Sequence, residues 1–206
     1  DFQEDGLFYT ILPDGESVAV TCERIGKPYT DIPSNLVIPE KVFNSRRKYD
    51  VKEIDNYAFQ SCEVIESVVI PNTVTKIGET AFMYCKSLKS IEIPNSVISI
   101  GAHAFSCCYG LDYVVLGNGL TDIADNTFYE CSALKQLIIP NSVISIGKHA
   151  FFSCDSLKTI DIPNTVTTIG DYAFSGCSKL ESIYIPYGVS KIGVYTFENC
   201  SSLKYI

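Results

Sequence analysis

Phenylalanine recurs every 23 residues at Phe59, Phe82, Phe105, Phe128, Phe151, Phe174 and Phe197, and a cysteine follows each by three, from Cys62 to Cys200. A fixed period of this length marks a chain of like supersecondary units. No unit can bury its own apolar face, so consecutive units stack and share one continuous core. Length then measures elongation rather than domain number, and the 206 residues read as one cooperative array behind a short N-terminal extra.

Aligning the units assigns a role to each position. A representative unit runs from Leu88 through Ile91, Ile93, Pro94, Asn95, Val97, Ile100 and Gly101 to Ala104, Phe105 and Cys108. The opening LxxIxI alternates like a strand with one buried face, and the proline ends pairing because it has no N–H to donate. Val97 and Ile100 point inward from the return path. The glycine after Ile100, repeated as Gly78, Gly147, Gly170 and Gly193, suits a backbone position of positive φ. With parallel strands about 4.8 Å apart, the Phe rings should stack into a single spine. The column Asn72, Asn95, Asn118, Asn141 and Asn164 should form an amide ladder along the turns.

Two units depart from the pattern. Leu116-Gly117-Asn118-Gly119-Leu120 replaces the usual IPNSV, which predicts a looser turn, and Ala124 stands where glycine is expected. In the first unit Val42 reaches Ile54 after twelve positions instead of three, an insertion of nine that carries Arg46, Arg47 and Lys48 and reads as a surface loop. Before the repeats, Leu7 to Leu12 and Ser17 to Glu23 alternate on either side of Pro13-Asp14-Gly15, the signature of a β-hairpin. Residues 1–37 are thus expected to cap the open core and strand edge of a solenoid spanning 38–206 in about seven units. The opening at Asp1, without Met or leader, suggests a processed protein or a recombinant segment from which the signal was removed. Leu203 to Ile206 stop inside a strand, which suggests further chain or a covering partner.

Charge and spacing exclude several kinds of chemistry. The net charge of −8 opposes nucleic acid, whose binders need a basic stripe. No apolar run approaches the roughly 20 residues that span a bilayer. Seven of the nine cysteines share one column. Stacking holds their Cβ atoms near the strand spacing of about 4.8 Å, beyond the usual 3.5 to 4.5 Å of a bridge, so they read as buried thiols. Cys22 and Cys107 lie outside the column, no CxxC occurs, and no metal site is expected. His103 and His149 share a column two units apart, about 10 Å, too far for easy common ligation. Glu92 and Asp161 are three units apart, about 14 Å, against roughly 5 to 9.5 Å for cooperating carboxylates. No catalytic residue and no cofactor are nominated.

The pattern LxxIxIPxxVxxIGxxAFxxC at a period of 23, over about residues 36–206, resembles the leucine-rich repeats of BspA-like surface proteins. The resemblance implies an α/β-type leucine-rich repeat solenoid dominated by short parallel strands, with little regular helix and a right-handed superhelical path. It also implies a non-enzymatic, exported or cell-surface module that binds an extracellular protein, in adhesion to host matrix proteins or to other cells. A spacer that presents another domain, or a recognition module joined to a catalytic domain, is the alternative. Binding chemistry belongs on outward strand positions. The column Glu66, Lys89, Asp112, Lys135, Lys158, Glu181, Lys204 largely alternates in sign and so compensates itself. Beside it Tyr113, Val115, Gln136, Ile138, Thr159, Asp161 and Tyr184 form the predicted partner-binding patch, aliphatic and Tyr side chains rimmed by polar groups. Asn199-Cys200-Ser201 is a glycosylation acceptor only in a eukaryotic secretory route.

Overall fold

The computed structural model describes all 206 residues and contains no α-helix. Phe2–Glu4 (β1), Leu7–Ile11 (β2) and Ser17–Thr21 (β3) precede Asn35–Val37 (β4), Lys41–Asn44 (β5) and Arg47–Ile54 (β6). From there each coil contributes a three-residue strand and a two-residue strand. These are Ser67–Val69 (β7) and Lys76–Ile77 (β8), Ser90–Glu92 (β9) and Ser99–Ile100 (β10), Tyr113–Val115 (β11) and Asp122–Ile123 (β12). Gln136–Ile138 (β13) and Ser145–Ile146 (β14), Thr159–Asp161 (β15) and Thr168–Ile169 (β16), and Ser182–Tyr184 (β17) and Lys191–Ile192 (β18) complete the series. The longer strands pair in parallel as β13-β11-β9-β7-β4 and β15-β17; the shorter ones continue β6 as β6-β8-β10 and then β12-β14-β16-β18.

A third ladder closes each coil on the turn side. The amides of Tyr57, Phe59 and Ser61 donate to the carbonyls of Glu79, Ala81 and Met83 in the next coil, and the same pattern recurs as far as Gly176 donating to Glu198. What aligns these groups is a backbone alternation. Tyr57, Thr80, His103, Asn126, His149, Tyr172 and Tyr195 have φ of 51 to 61°, as do, four residues on, Ser61, Tyr84, Cys107, Glu130, Ser153 and Asn199 at 52 to 62°. Each left-handed residue turns its peptide plane so that N–H groups point to the following coil and carbonyls to the preceding one.

The repeat glycines therefore do not serve positive φ, contrary to the sequence expectation. Positive φ among glycines is confined to Gly6, Gly15, Gly26 and Gly176. The repeat glycine exists for close approach: a Cβ on Gly101 would lie 2.4 Å from the amide nitrogen of Glu79, and on Gly193 2.3 Å from that of Asp171. The Gly117-Asn118-Gly119 turn is likewise tighter than expected rather than looser, since a Cβ on Gly119 would meet the carbonyl oxygens of Asn95 and Val97 at 2.4 and 2.5 Å. Nor does the asparagine column form an amide ladder; within it only Asn95 Oδ1 bonds along the axis, accepting from the backbone of Asn118 at 2.8 Å. That role falls to the column after the glycine, where Asn56, Asp125 and Asp171 accept from the amides of Glu79, Lys148 and Val194.

The insertion is a β-hairpin and not an irregular loop. β5 pairs antiparallel with β6 from Lys41↔Asp50 to Asn44↔Arg47, and the two turn residues Ser45 and Arg46 both have positive φ, at 51 and 78°. Such a turn matches the twist of its strands. Val42 on β5 faces Tyr49 on β6, with Val51 two residues on; all three are buried, and this common inner face drives the pairing. At the N-terminus β2 and β3 pair antiparallel across a turn in which Asp14 Oδ1 accepts from the amides of Glu16 and Ser17, and β3 joins β6 in parallel.

The core is one cluster running through the array. Phe59 to Phe197 stack with ring centroids 5.2 to 5.8 Å apart and planes within 15°, and Tyr29 and Phe8 extend the spine into the N-terminal region. All nine cysteines are free thiols. From Cys85 to Cys200 each column thiol donates to the carbonyl of the Phe one coil back, at 3.1 to 3.3 Å. A residue of this volume with a weak donor satisfies a buried carbonyl that Ala or Val would leave with one partner fewer.

Candidate functional site

The strand face offers the outward residues a regular platform. In the longer strands the central residue points into the core, so Val114, Leu137, Ile160 and Ile183 are buried and their neighbours face out. Register sets Tyr113 against Gln136 and Val115 against Ile138 in β11 and β13, and Thr159 against Ser182 and Asp161 against Tyr184 in β15 and β17. Tyr113, Ile138 and Tyr184 are 39, 59 and 67 % exposed, while Val115 is half-buried. All seven residues expected on this patch thus lie on one face. They stand on two pieces of sheet, because β13 and β15 are neighbours without a shared ladder.

Two hollows flank the Val115–Ile138 ridge. One, of about 710 Å³, runs over Val69, Glu92, Val115 and the Pro94 and Gly117 turns; the other, of about 370 Å³, is lined by Thr159, Asp161, Tyr184 and Tyr205. The first is floored where Gly117 lets its coil close on the backbone of Pro94, at 2.5 Å for a notional Cβ. Sequence reasoning carried this outward column back to Val69 but not to Val37. Val37 and Val69, 62 and 57 % exposed, lie paired in the same outward column as Val115. The insertion separates them by 32 residues instead of 23, so Val37 falls out of any fixed-period alignment. A register restarted after the insertion would have found it.

Beside the apolar column, the charged column compensates itself as its alternating signs suggest. Lys89 pairs with Glu66 at 2.6 Å and Lys135 with Asp112 at 3.2 Å, all four side chains well exposed. Such pairs contribute about 0 to 1 kcal/mol each and fix register more than they stabilise. No three His, Cys, Asp or Glu side chains gather as a metal-binding set. Burial pushes the column thiols up, Cys62 to about 11 and Cys85, Cys108 and Cys154 well above the ordinary range. They stay protonated at neutral pH, and the neutral thiol is neither nucleophile nor metal ligand.

The BspA type leucine rich repeat region matches in six copies, over residues 52–151 and 121–206. The chain belongs to that family. Repeat regions of this class are typically non-catalytic protein-interaction modules. Among solved structures the chain is similar to a leucine rich repeat protein of T. pallidum, with a TM-score of 0.88 and 29 % identity over 99 % of this chain and 91 % of that one. It is also similar to a leucine rich cell surface protein of Faecalibacterium prausnitzii, TM-score 0.59 and 25 % identity over 100 % of this chain and 75 % of that one. A leucine-rich repeat protein of Eubacterium ventriosum gives a TM-score of 0.75 and 25 % identity, over 92 % of this chain but 50 % of that one. No curated protein matches the chain significantly. No helix is long and apolar enough to cross a membrane.

Proposed function

We propose that the chain is the adhesive module of a cell-surface protein and that it docks an extracellular protein on its strand face. The observation that carries this reading is the group of outward apolar and aromatic side chains, Tyr113, Val115, Ile138 and Tyr184, on one strand face made of two pieces of parallel sheet. Gln136, Thr159 and Asp161 supply the polar rim. Tyrosine gives such a surface apolar area and a hydrogen-bonding tip at small entropic cost. The description of the Faecalibacterium relative as a cell surface protein supports the location. The test is a pull-down against extracellular matrix and serum proteins, with the double variant Tyr113→Ala/Ile138→Ser as the comparison. Capture by the parent chain and a tenfold or greater loss in the variant, at unchanged melting temperature, support the proposal. Capture of the same partner with equal affinity by both chains removes the strand face from the reading.

A further inference from the structure

The turn side carries a second surface that the repeat pattern does not explain. Four residues beyond the first left-handed position, the second such position is occupied in most coils by Ser61, Ser153, Gly176 and Asn199, small or turn-forming residues. In three successive coils it holds Tyr84, Cys107 and Glu130 instead. The turn ladder holds this position left-handed whatever its side chain, so in these three coils it sets a tyrosine, a thiol and a carboxylate in one column.

These three converge with two more tyrosines. Cys107 Sγ points at Glu130 Oε2, 3.8 Å away, and Tyr109 Oη donates to the same carboxylate oxygen at 3.3 Å. Cys107 raises the phenols of Tyr84 and Tyr109, with Glu130 adding to it, and burial followed by Glu130 raises Tyr129. Tyr109 thus meets a carboxylate that shares a hollow with Tyr84 and Tyr129 and has no basic partner among the ion pairs of the chain. Tyr84, Cys107, Tyr129 and Glu130 line this hollow of about 500 Å³ together with Met83, His103 and His149, and Tyr109 stands outside this lining.

We propose that this hollow is a cation pocket that seats a lysine side chain of a protein partner between Tyr84 and Tyr129, with its ammonium on Glu130, whose carboxylate Tyr109 holds by its hydrogen bond. The proposal rests on the reading of the chain as a protein-interaction module, but not on the strand face. Tyrosine rings attract an ammonium through their quadrupole and Glu130 through its charge, while the alkyl stem fits against Met83 and the rings. An organic ammonium fits where a metal ion does not, because no three ligating side chains come together here. The overall charge of −8 draws basic segments toward the chain from a distance.

The test is calorimetric titration of an acetylated, amidated Gly-Lys-Gly-Lys-Gly peptide into the parent chain and into Glu130→Gln, Tyr109→Phe and Glu79→Gln. Glu79 is an exposed carboxylate of the same turn side and controls for loss of general charge. The proposal expects binding weakened at least tenfold by Glu130→Gln, severalfold by Tyr109→Phe and less than twofold by Glu79→Gln, with no binding of the norleucine analogue of the peptide. Equal weakening by Glu130→Gln and Glu79→Gln, or equal binding of the norleucine peptide, overturns it. Titration of Tyr113→Ala/Ile138→Ser separates the two surfaces: unchanged peptide binding there supports an independent pocket, and a matching loss overturns it.

Discussion

At the scale of single residues the repeat is governed by how closely two backbones approach. The amides of Gly78, Gly101, Gly147, Gly170 and Gly193 each donate to the isoleucine carbonyl one coil back at 2.7 to 2.9 Å, whereas Ala124 makes no corresponding bond to Ile100. The short-strand ladder breaks at that step, between β10 and β12. One methyl group accounts for the break, because a Cβ in this column points into the backbone of the preceding coil. Gly170→Ala should therefore cost about 1 to 3 kcal/mol by overpacking, read from the urea midpoint. Ala124→Gly should leave stability within about 1 kcal/mol, since a restored hydrogen bond is offset by glycine's lost entropy. It should nonetheless slow hydrogen exchange of the amide at position 124; unchanged exchange there would show that the break has another cause. The same column shows what sequence could and could not reveal. That the position is glycine is visible from its recurrence, but φ and close approach both select glycine, and only coordinates separate them. Positive φ falls in several coils on residues such as Tyr57, Thr80 and Tyr172, whose own preferences give no signal, because inter-coil hydrogen bonds override local propensity.

At the scale of elements, strands and columns were legible wherever the period held, since 23 residues per coil converts position in sequence directly into position on a face. That Tyr113 to Tyr184 share one outward face was legible for that reason, and that Val37 joins them was not, because the insertion shifts the register. The inserted hairpin was missed although Tyr49 and Val51 stand two apart in a strand-like run, its Ser45-Arg46 turn lacking the usual Asn-Gly signal. The cysteine column was legible as buried, but its hydrogen bonds to Phe carbonyls were not. This column makes stability depend on pH in a defined direction. Burial raises the folded pKa of Cys85, Cys108, Cys131, Cys154 and Cys177 above the unfolded value of about 8.5. The stabilisation is complete below that value and is lost as pH rises above it, because the unfolded chain then releases protons that the folded one keeps. Each thiol contributes a slope of up to about 1.4 kcal/mol per pH unit. Five together should lower stability by on the order of 5 kcal/mol between about pH 8 and 9.5. Urea titrations across this range measure it, and Cys154→Ala should shallow the slope. A flat profile would mean that the thiols ionise freely in the folded chain.

At the scale of the whole molecule, three ladders and the ring spine couple each coil to the next, but not equally at every step. The short-strand ladder is interrupted between β10 and β12 and the long-strand ladder between β13 and β15, so the two gaps are staggered and no step lacks both. The turn ladder and the spine pass through both gaps: Phe105 donates to Thr127 at 3.0 Å and its ring stacks on Phe128 at 5.6 Å. In a linear array, cooperativity is set by these nearest-neighbour terms, and melting divides where one of them is weakest. The parent chain should therefore unfold in a single calorimetric transition. Phe128→Ala and Phe82→Ala each remove a fully buried ring, and each should cost about 3 to 5 kcal/mol. Their consequences should differ in kind. Phe82 lies in a coil joined on both sides by continuous long- and short-strand ladders, so its loss should lower one transition without dividing it. Phe128 stacks across the β10–β12 gap, where the spine replaces the missing ladder, so its loss should divide unfolding into two transitions on either side of that step. If both variants keep a single transition, the turn ladder suffices to couple the array and the rings supply stability without supplying cooperativity.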